Sequence, residues 1–488
     1  MNSLIKKIVQ KVSVDYKRLS IVSNPDGVLT TESVRQSLYQ EYCIEVVTGT
    51  NLQLRVHFEL YFKTNPSRRF LYITNNMKGI LPDMRIESFC CAFNISDVFP
   101  LFADKSSLLN LPFEVLDDLY EQVAQRRISM TESKSILEAI VKNQEIKKSQ
   151  TADFCIKQLQ NIELDWNNPL LTISKVSEFI VNAIRSNVFL QVLPSINVIN
   201  SDFQKWVDES YFATLHSNHL IHPKSVNKIL PHLSEKYNHD DKVALIVIDG
   251  FTYWQYTVLE SYLKEHNYDI INSTTLAWIP SITMLSRQAI FRGDIPQSDY
   301  KQNPENEKKL WQNFWQAKGF GIYESQYISD KDTFSIIDGV KRLAYVTVEM
   351  DEKMHSSTDN RDLLSLTENW CNRIYEKIRI IIDAGFTLFL TTDHGSSYST
   401  GWRPLTQQES VYLYKDGSRG KRHLIYNDTN EQERFYDENQ DISLLKHNNW
   451  LVIRDDRCFS KEGSNMITHG GSHFMEVVIP FVNIKKKK

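Results

Sequence analysis

Apolar and polar positions along the chain fall into three successive patterns. In the first, residues 19–22 and 70–73 are short apolar runs of strand length, and residues 33–42 between them have helical character. The link Ser23-Asn24-Pro25-Asp26-Gly27 is turn chemistry, so residues 1–114 are expected to form a small α/β domain. A phospho-receiver domain needs an acceptor Asp after the second run. Asn75 and Asn76 stand there instead, which counts against that reading.

In the second pattern, over residues 115–240, Leu116, Leu119 and Val123, then Ile136, Ile140 and Val141, recur at three-to-four spacing with charges between. That period predicts helices. Ile156 and Leu159 open a further run after Cys155, and Pro194 and Pro223 are expected to break the later part into short helices. Nothing in this mainly helical region suggests chemistry; its expected role is spacing, regulation or partner docking.

The third pattern covers residues 241–488. Apolar runs at 243–248, 343–348, 386–390 and 477–482 alternate with helical stretches. This predicts a βαβ series and a mostly parallel sheet covered on both faces.

Composition adds limits. The 488 residues are 41% hydrophobic, 24% charged and 11% aromatic, an ordinary globular balance that excludes disorder or coiled coil for the bulk. Lys plus Arg number 56 against 60 Asp plus Glu, so a whole-surface nucleic-acid or membrane binder is not expected, though a local basic cleft is allowed. No apolar run approaches the ~18 residues of a membrane span. The opening residues lack the apolar core of a secretory signal, so a cytoplasmic protein is expected. Six cysteines without CxxC spacing indicate neither a zinc knuckle nor a disulfide framework. There is no P-loop and no internal repeat, and the closing run of lysines reads as a solvated end.

The chemistry lies in where acids and histidines fall. Asp249-Gly250 follows the first apolar run of the third region, Asp351 and His355 follow the second, and Asp393-His394-Gly395 follows the third. His469-Gly470-Gly471 precedes the last. Ligands of open parallel sheets gather outside the carboxyl ends of the strands, so these side chains are expected at one edge. A lone Asp there is commonly a helix cap, and an Asp/His pair four apart can be an exposed helix contact. Several together make a metal site the better account. Thr283, three residues after Pro280, is expected at a helix amino terminus, where backbone N–H groups favour an anion. A hydroxyl there could act as a nucleophile, or simply sit satisfied in the first turn.

The ordered set Asp249-Gly, Pro280-x-x-Thr283…Arg287…Gly293, Asp351-x3-His355, Thr392-Asp393-His394-Gly395 and His469-Gly-Gly…Glu476…Pro480 resembles the PglZ branch of the alkaline phosphatase superfamily. The resemblance covers the region after residue 241. Ser23–Leu29 and Leu81-Pro82-Asp83 are similar to PglZ proteins less specifically. It implies an α/β fold with an alkaline-phosphatase-like, parallel-rich sheet flanked by helices, here preceded by the small α/β domain and the helical region. It also implies two divalent ions, zinc first, with manganese or magnesium as alternatives. Asp249, Asp393 and His394 would hold the ion touching Thr283; Asp351, His355 and His469 would hold the other. Thr283 is the implied nucleophile, with Ser281 the alternative. Two positions depart from the family pattern: Ser281 stands where members tend to have Thr, and His473 where they carry Ser.

The implied activity is a metal-dependent phosphodiesterase or nuclease-like hydrolase acting on nucleic acid or oligonucleotides, as in BREX-type antiphage defence or related signalling. Other defence-system proteins are the implied partners and no membrane is involved. Two alternatives stand beside it: a defence-complex scaffold with a structural metal site, and a small-molecule phosphatase or mutase of the same superfamily. Thr283 disfavours a sulfatase. Lys415, Arg419, Lys421 and Arg422, near Tyr412 and Tyr414, could steer a nucleic-acid backbone or form a solvated hairpin turning at Asp416-Gly417-Ser418. His216, His219 and His222 read as surface or packing residues, because Pro223 ends any helix that would align them.

Overall fold

The computed structural model describes the chain except residues 1, 2, 110, 112, 124, 125, 218–221, 298, 415–417 and 488, and the side chains of 32, 114 and 144. The chain forms two compact units, Met1–Lys147 and Lys148–Lys488. The boundary falls within one helix, Met130–Gln160, so the run after Cys155 continues a helix rather than opening a second one.

In the first unit four parallel strands, β1 (Leu19–Ser23), β2 (Ile44–Thr48), β3 (Arg69–Ile73) and β4 (Ser88–Ala92), lie in the order β2-β3-β1-β4. Val22, Val46, Leu71 and Ile73 face one core with the helix Ser3–Val12. Ile21, Phe70 and Tyr72 face another with Leu54, Phe58 and Phe62. The alternation is the period of two that a strand imposes on its side chains.

The second unit is built on a seven-stranded sheet. Its strands are β5 (Val243–Ile248), β6 (Tyr268–Ile271), β7 (Thr274–Leu276), β8 (Ser325–Ser329), β9 (Arg342–Thr347) and β10 (Thr387–Thr392). The seventh, β17 (Val478–Lys486), follows six short strands: β11 (Ser397–Gly401), β12 (His423–Ile425), β13 (Leu444–His447), β14 (Trp450–Ile453), β15 (Arg457–Cys458) and β16 (Asn465–Thr468). The main sheet runs β6-β17-β10-β5-β9-β8, with β7 also on β17, and the short strands form the sheets β15-β11-β16 and β12-β14-β13. β10, β5, β9 and β8 are mutually parallel. The last strand, β17, is antiparallel to β10, β6 and β7, so the sheet is parallel-rich and not parallel throughout.

Alternate residues of β5 enter opposite cores. Ala244, Ile246 and Ile248 join Leu388, Leu390 and the helices Leu170–Arg185, Tyr253–Glu265 and Asn360–Asp383. Val243, Leu245 and Val247 join Phe389, Phe481 and the helices Thr283–Arg292 and Pro304–Ala317. Such two-sided burial is why these strands read as continuous apolar runs. Each fully buried Val, Leu or Ile contributes roughly 1.5–3 kcal/mol.

Pro194 does not break the helical region: it lies inside the helix Phe189–Trp206. Near the helix start a proline forfeits one hydrogen bond, and packing outweighs that loss here. Val192, Ile196, Ile199 and Phe203 are all buried along one face.

Candidate metal centre

Register brings the acids together. Ile248, Thr392 and Thr347 pair side by side, so β5, β10 and β9 end at one level. Asp249 leaves β5, Asp393 and His394 leave β10, and Asp351 lies in the helix Glu349–Ser356 just after β9. The helix-cap account of these acids fails locally. Thr252, not Asp249, caps the helix Tyr253–Glu265, through a reciprocal pair with Gln255. Asp351 sits inside its helix and makes no cap. The Asp351/His355 pair is no exposed contact either, since its side chains are 7% and 17% accessible.

Two groups of three ligand atoms result: Asp249, Asp393 and His394, all buried, and Asp351, His355 and His469. They adjoin, with the His394 and His469 rings stacked at 4.3 Å between centroids. Gly250 explains the closeness. At φ 66° it favours glycine, and a Cβ there would lie 3.2 Å from the Cβ and Oδ1 of Asp351.

Backbone carbonyls set the histidine tautomers. His394 Nδ1 lies 2.9 Å from the Gly395 carbonyl and His469 Nδ1 lies 3.0 Å from the Ser281 carbonyl. A carbonyl only accepts, so each Nδ1 carries the proton and each Nε2 presents its lone pair to the site, the usual arrangement for metal-ligating histidines. Burial, with His394 beside it, pushes the pKa of His469 well below the ordinary value and keeps the ring neutral.

Thr283 begins the helix Thr283–Arg292. Its Oγ1 is 3.2 Å from Asp249 Oδ1 and 3.1 Å from His394 Nε2. A helix amino terminus favours an anion, and the Thr283 hydroxyl stands at one. Ser281 is engaged elsewhere: its Oγ donates to Glu476 Oε2 at 2.5 Å and accepts from the Gly470 N–H at 2.9 Å. The Ile279–Pro280 peptide bond before it is cis.

Charge in the site is unbalanced. Arg287 bonds Asp249 Oδ2 at 2.7 Å and lies 3.2 Å from Glu307 and 3.4 Å from Asp393. One buried guanidinium thus faces three buried carboxyl groups. Burial pushes Asp249 well above its usual range, Arg287 pulls it partway back, and Asp393 and Asp351 raise it again. Burial raises Glu307 as well, against the pull of Arg287. Asp351 Oδ1, His355 Nε2 and Asp393 Oδ2 are buried without a hydrogen bond. Unsatisfied buried ligand atoms of this kind, beside excess negative charge, fit divalent cations.

Several supporting residues have roles that only the folded structure assigns. Glu476, fully buried, accepts from Ser281, Gly471 and Ser397 and lies 2.8 Å from Arg422 Nε, tying the loop before Thr283 to the His469 loop. From the helical region, Gln204 bonds the Ser472 carbonyl at 2.7 Å, Asn200 accepts from the Phe474 N–H at 3.2 Å, and the Tyr211 hydroxyl accepts from the Ile279 N–H at 2.9 Å. That region therefore holds the site loops, a role its pattern does not suggest, because polar residues on a helix read as surface.

The basic segment divides. Arg422 is a correction to the substrate-binding expectation: it is fully buried, paired with Glu476 and bonded to Ser399, so it belongs to the scaffold. Arg419 is exposed and reaches Asp351 Oδ2. Lys421 is exposed, its amide on Thr468 beside His469. Lys415, with Asp416 and Gly417 of the expected turn, lies outside the described residues, as does His219 of the histidine row.

An α/β fold of this topology, with its ligand groups at the carboxyl ends of a parallel-rich sheet, is alkaline-phosphatase-like. A family profile described as the BREX system PglZ alkaline phosphatase-like domain matches residues 227–484, more than half of the chain. The chain belongs to the PglZ family. Among curated proteins none matches. Matching solved structures include murine ectonucleotide pyrophosphatase/phosphodiesterase 5, 12% identical over 50% of this chain and 88% of that one, with a TM-score of 0.33. Phosphonoacetate hydrolase from Sinorhizobium meliloti 1021, with phosphonoformate bound, is 11% identical over 50% and 89%, with a TM-score of 0.34.

Proposed function

We propose that the chain is a two-metal phosphoesterase in which Thr283 is the nucleophile. The observation that carries this is the Thr283 hydroxyl, within 3.2 Å of Asp249 and 3.1 Å of His394 at a helix amino terminus beside two adjoining ligand groups. Asp249, Asp393 and His394 would hold one ion and Asp351, His355 and His469 the other. Bound there, divalent ions supply Lewis-acid charge that eases deprotonation of a hydroxyl and stabilises a leaving oxygen.

The chain's own residues supply the rest. Thr283 Oγ1 gives up its proton to solvent and bonds to phosphorus as the bond to the leaving oxygen breaks, so the rest of the phosphoryl group is carried on the threonine oxygen. Water then breaks the threonine-phosphate bond and restores the hydroxyl. The first amides of the helix Thr283–Arg292 hold non-bridging oxygens through both steps. Arg287 and Glu307 keep Asp249 and Asp393 in place.

The finer reading is a phosphodiesterase or nuclease-like enzyme acting on nucleic acid or oligonucleotides in antiphage defence. It is supported by the BREX description of the matched family and by exposed Arg419 and Lys421 beside the site. The test combines metal content with hydrolysis of a chromogenic diester, a chromogenic monoester and a labelled oligonucleotide. Thr283→Ala is expected to keep the fold and its ions while turnover falls at least ~100-fold. Undiminished turnover would remove Thr283 from the mechanism, and activity on monoesters alone would favour a small-molecule phosphatase.

A further inference from the structure

Resting on that two-metal reading, we propose that Arg419 and the ion of the Asp351 group share one carboxylate, so that this ion and an anionic substrate bind cooperatively. The side chain of Arg419 is 55% exposed while that of Asp351 is 7% exposed, so a surface arginine reaches down to a buried acid. It takes Oδ2. The other oxygen, Oδ1, faces His355 Nε2 at 3.3 Å and His469 Nε2 at 3.8 Å and has no hydrogen bond. Asp351 is therefore open to two cations from two sides.

A guanidinium stays charged at any working pH, so Arg419 and a neighbouring ion repel and each weakens the other's hold on Asp351. A phosphate or phosphonate dianion between them removes that repulsion, and the arginine fork matches its oxygens in pairs. Coupling of this kind is reciprocal: the anion tightens the ion by the factor with which the ion tightens the anion. The other arginines near the site are not free to do this. Arg287 is buried and held by Asp249, and Arg422 is buried and held by Glu476.

The test uses metal-free, full-length protein, Mn²⁺ titrations followed by calorimetry, and methylphosphonate as a dianion that is not hydrolysed. In the wild type, methylphosphonate is expected to tighten the weaker of two Mn²⁺ events about tenfold, within the usual range of such couplings. Arg419→Ala is expected to bind that Mn²⁺ more tightly than wild type without the phosphonate, and to lose the phosphonate effect. Arg419→Lys, which keeps the charge, retains part of it. An unchanged melting curve for Arg419→Ala shows that the fold is intact. An equal phosphonate effect in wild type and Arg419→Ala, no effect in the wild type, or weaker Mn²⁺ binding in the variant overturns the proposal. Absence of any Mn²⁺ event in the wild type instead defeats the two-metal reading on which it rests.

Discussion

His473 shows how one side chain ties the site loop to pH. Its Nδ1 accepts the Met475 N–H at 3.2 Å, so the ring proton resides on Nε2 and a second proton would break the cap. Burial, with Arg422 nearby, pushes its pKa well below the ordinary 6.5. Below that value the unfolded chain binds more protons at this residue than the folded one, and folding stability falls as pH drops toward the folded pKa. The melting temperature is expected to decline from about pH 7 to about pH 5, and less steeply in His473→Asn, which can still accept from Met475. Parallel declines in the two proteins would assign the acid sensitivity to other groups.

At the scale of elements, the turn that leaves β5 brings Gly250 close to Asp351. Gly250 lets the chain reverse at φ 66°, and its amide donates to Asp393 Oδ1 at 3.2 Å. Gly250→Ala places a methyl against Asp351 and is expected to cost about 1–2 kcal/mol for the left-handed backbone alone. The displaced Asp351 should also weaken the second ion. Urea denaturation reads the first effect and ion stoichiometry after dialysis the second; full retention of both ions would mean that Asp351 tolerates the added carbon. The helices behave differently from the strands. Pro194 within Phe189–Trp206 shows tertiary packing overriding a local breaking signal.

For the whole molecule, the ligand groups all lie in the unit Lys148–Lys488. Ligands that bind only the folded state stabilise it, by about 2.7 kcal/mol at a hundredfold excess over Kd. Chelation is therefore expected to lower the melting transition of that unit and raise amide exchange around Asp249, Asp351, Asp393 and His469, leaving Met1–Lys147 unaffected. A uniform increase over the chain would show that the ions stabilise more than their own unit. Among the described residues no helix is long and apolar enough to cross a membrane.

The sequence by itself determined the sheet and the candidate ligands. Runs such as 243–248 announce a strand buried on both faces, and acids at their ends inherit their place from strand polarity, which is local information. Asp249, Asp351, His355, Asp393 and His394 were legible for that reason, whereas His469 precedes β17 and reaches the same edge because that strand runs antiparallel to β10. Other features depend on residues far apart in the chain, and only the folded structure could settle them. The antiparallel course of β17 follows from its pairing with β10, β6 and β7. The engagement of Ser281 by Glu476 crosses nearly two hundred positions, which leaves Thr283 as the hydroxyl facing the ligands. Arg419 and Arg422 look alike in a basic segment, yet one reaches Asp351 from solvent and the other is buried against Glu476. Composition records that both are charged; burial, set by long-range packing, decides what each charge meets.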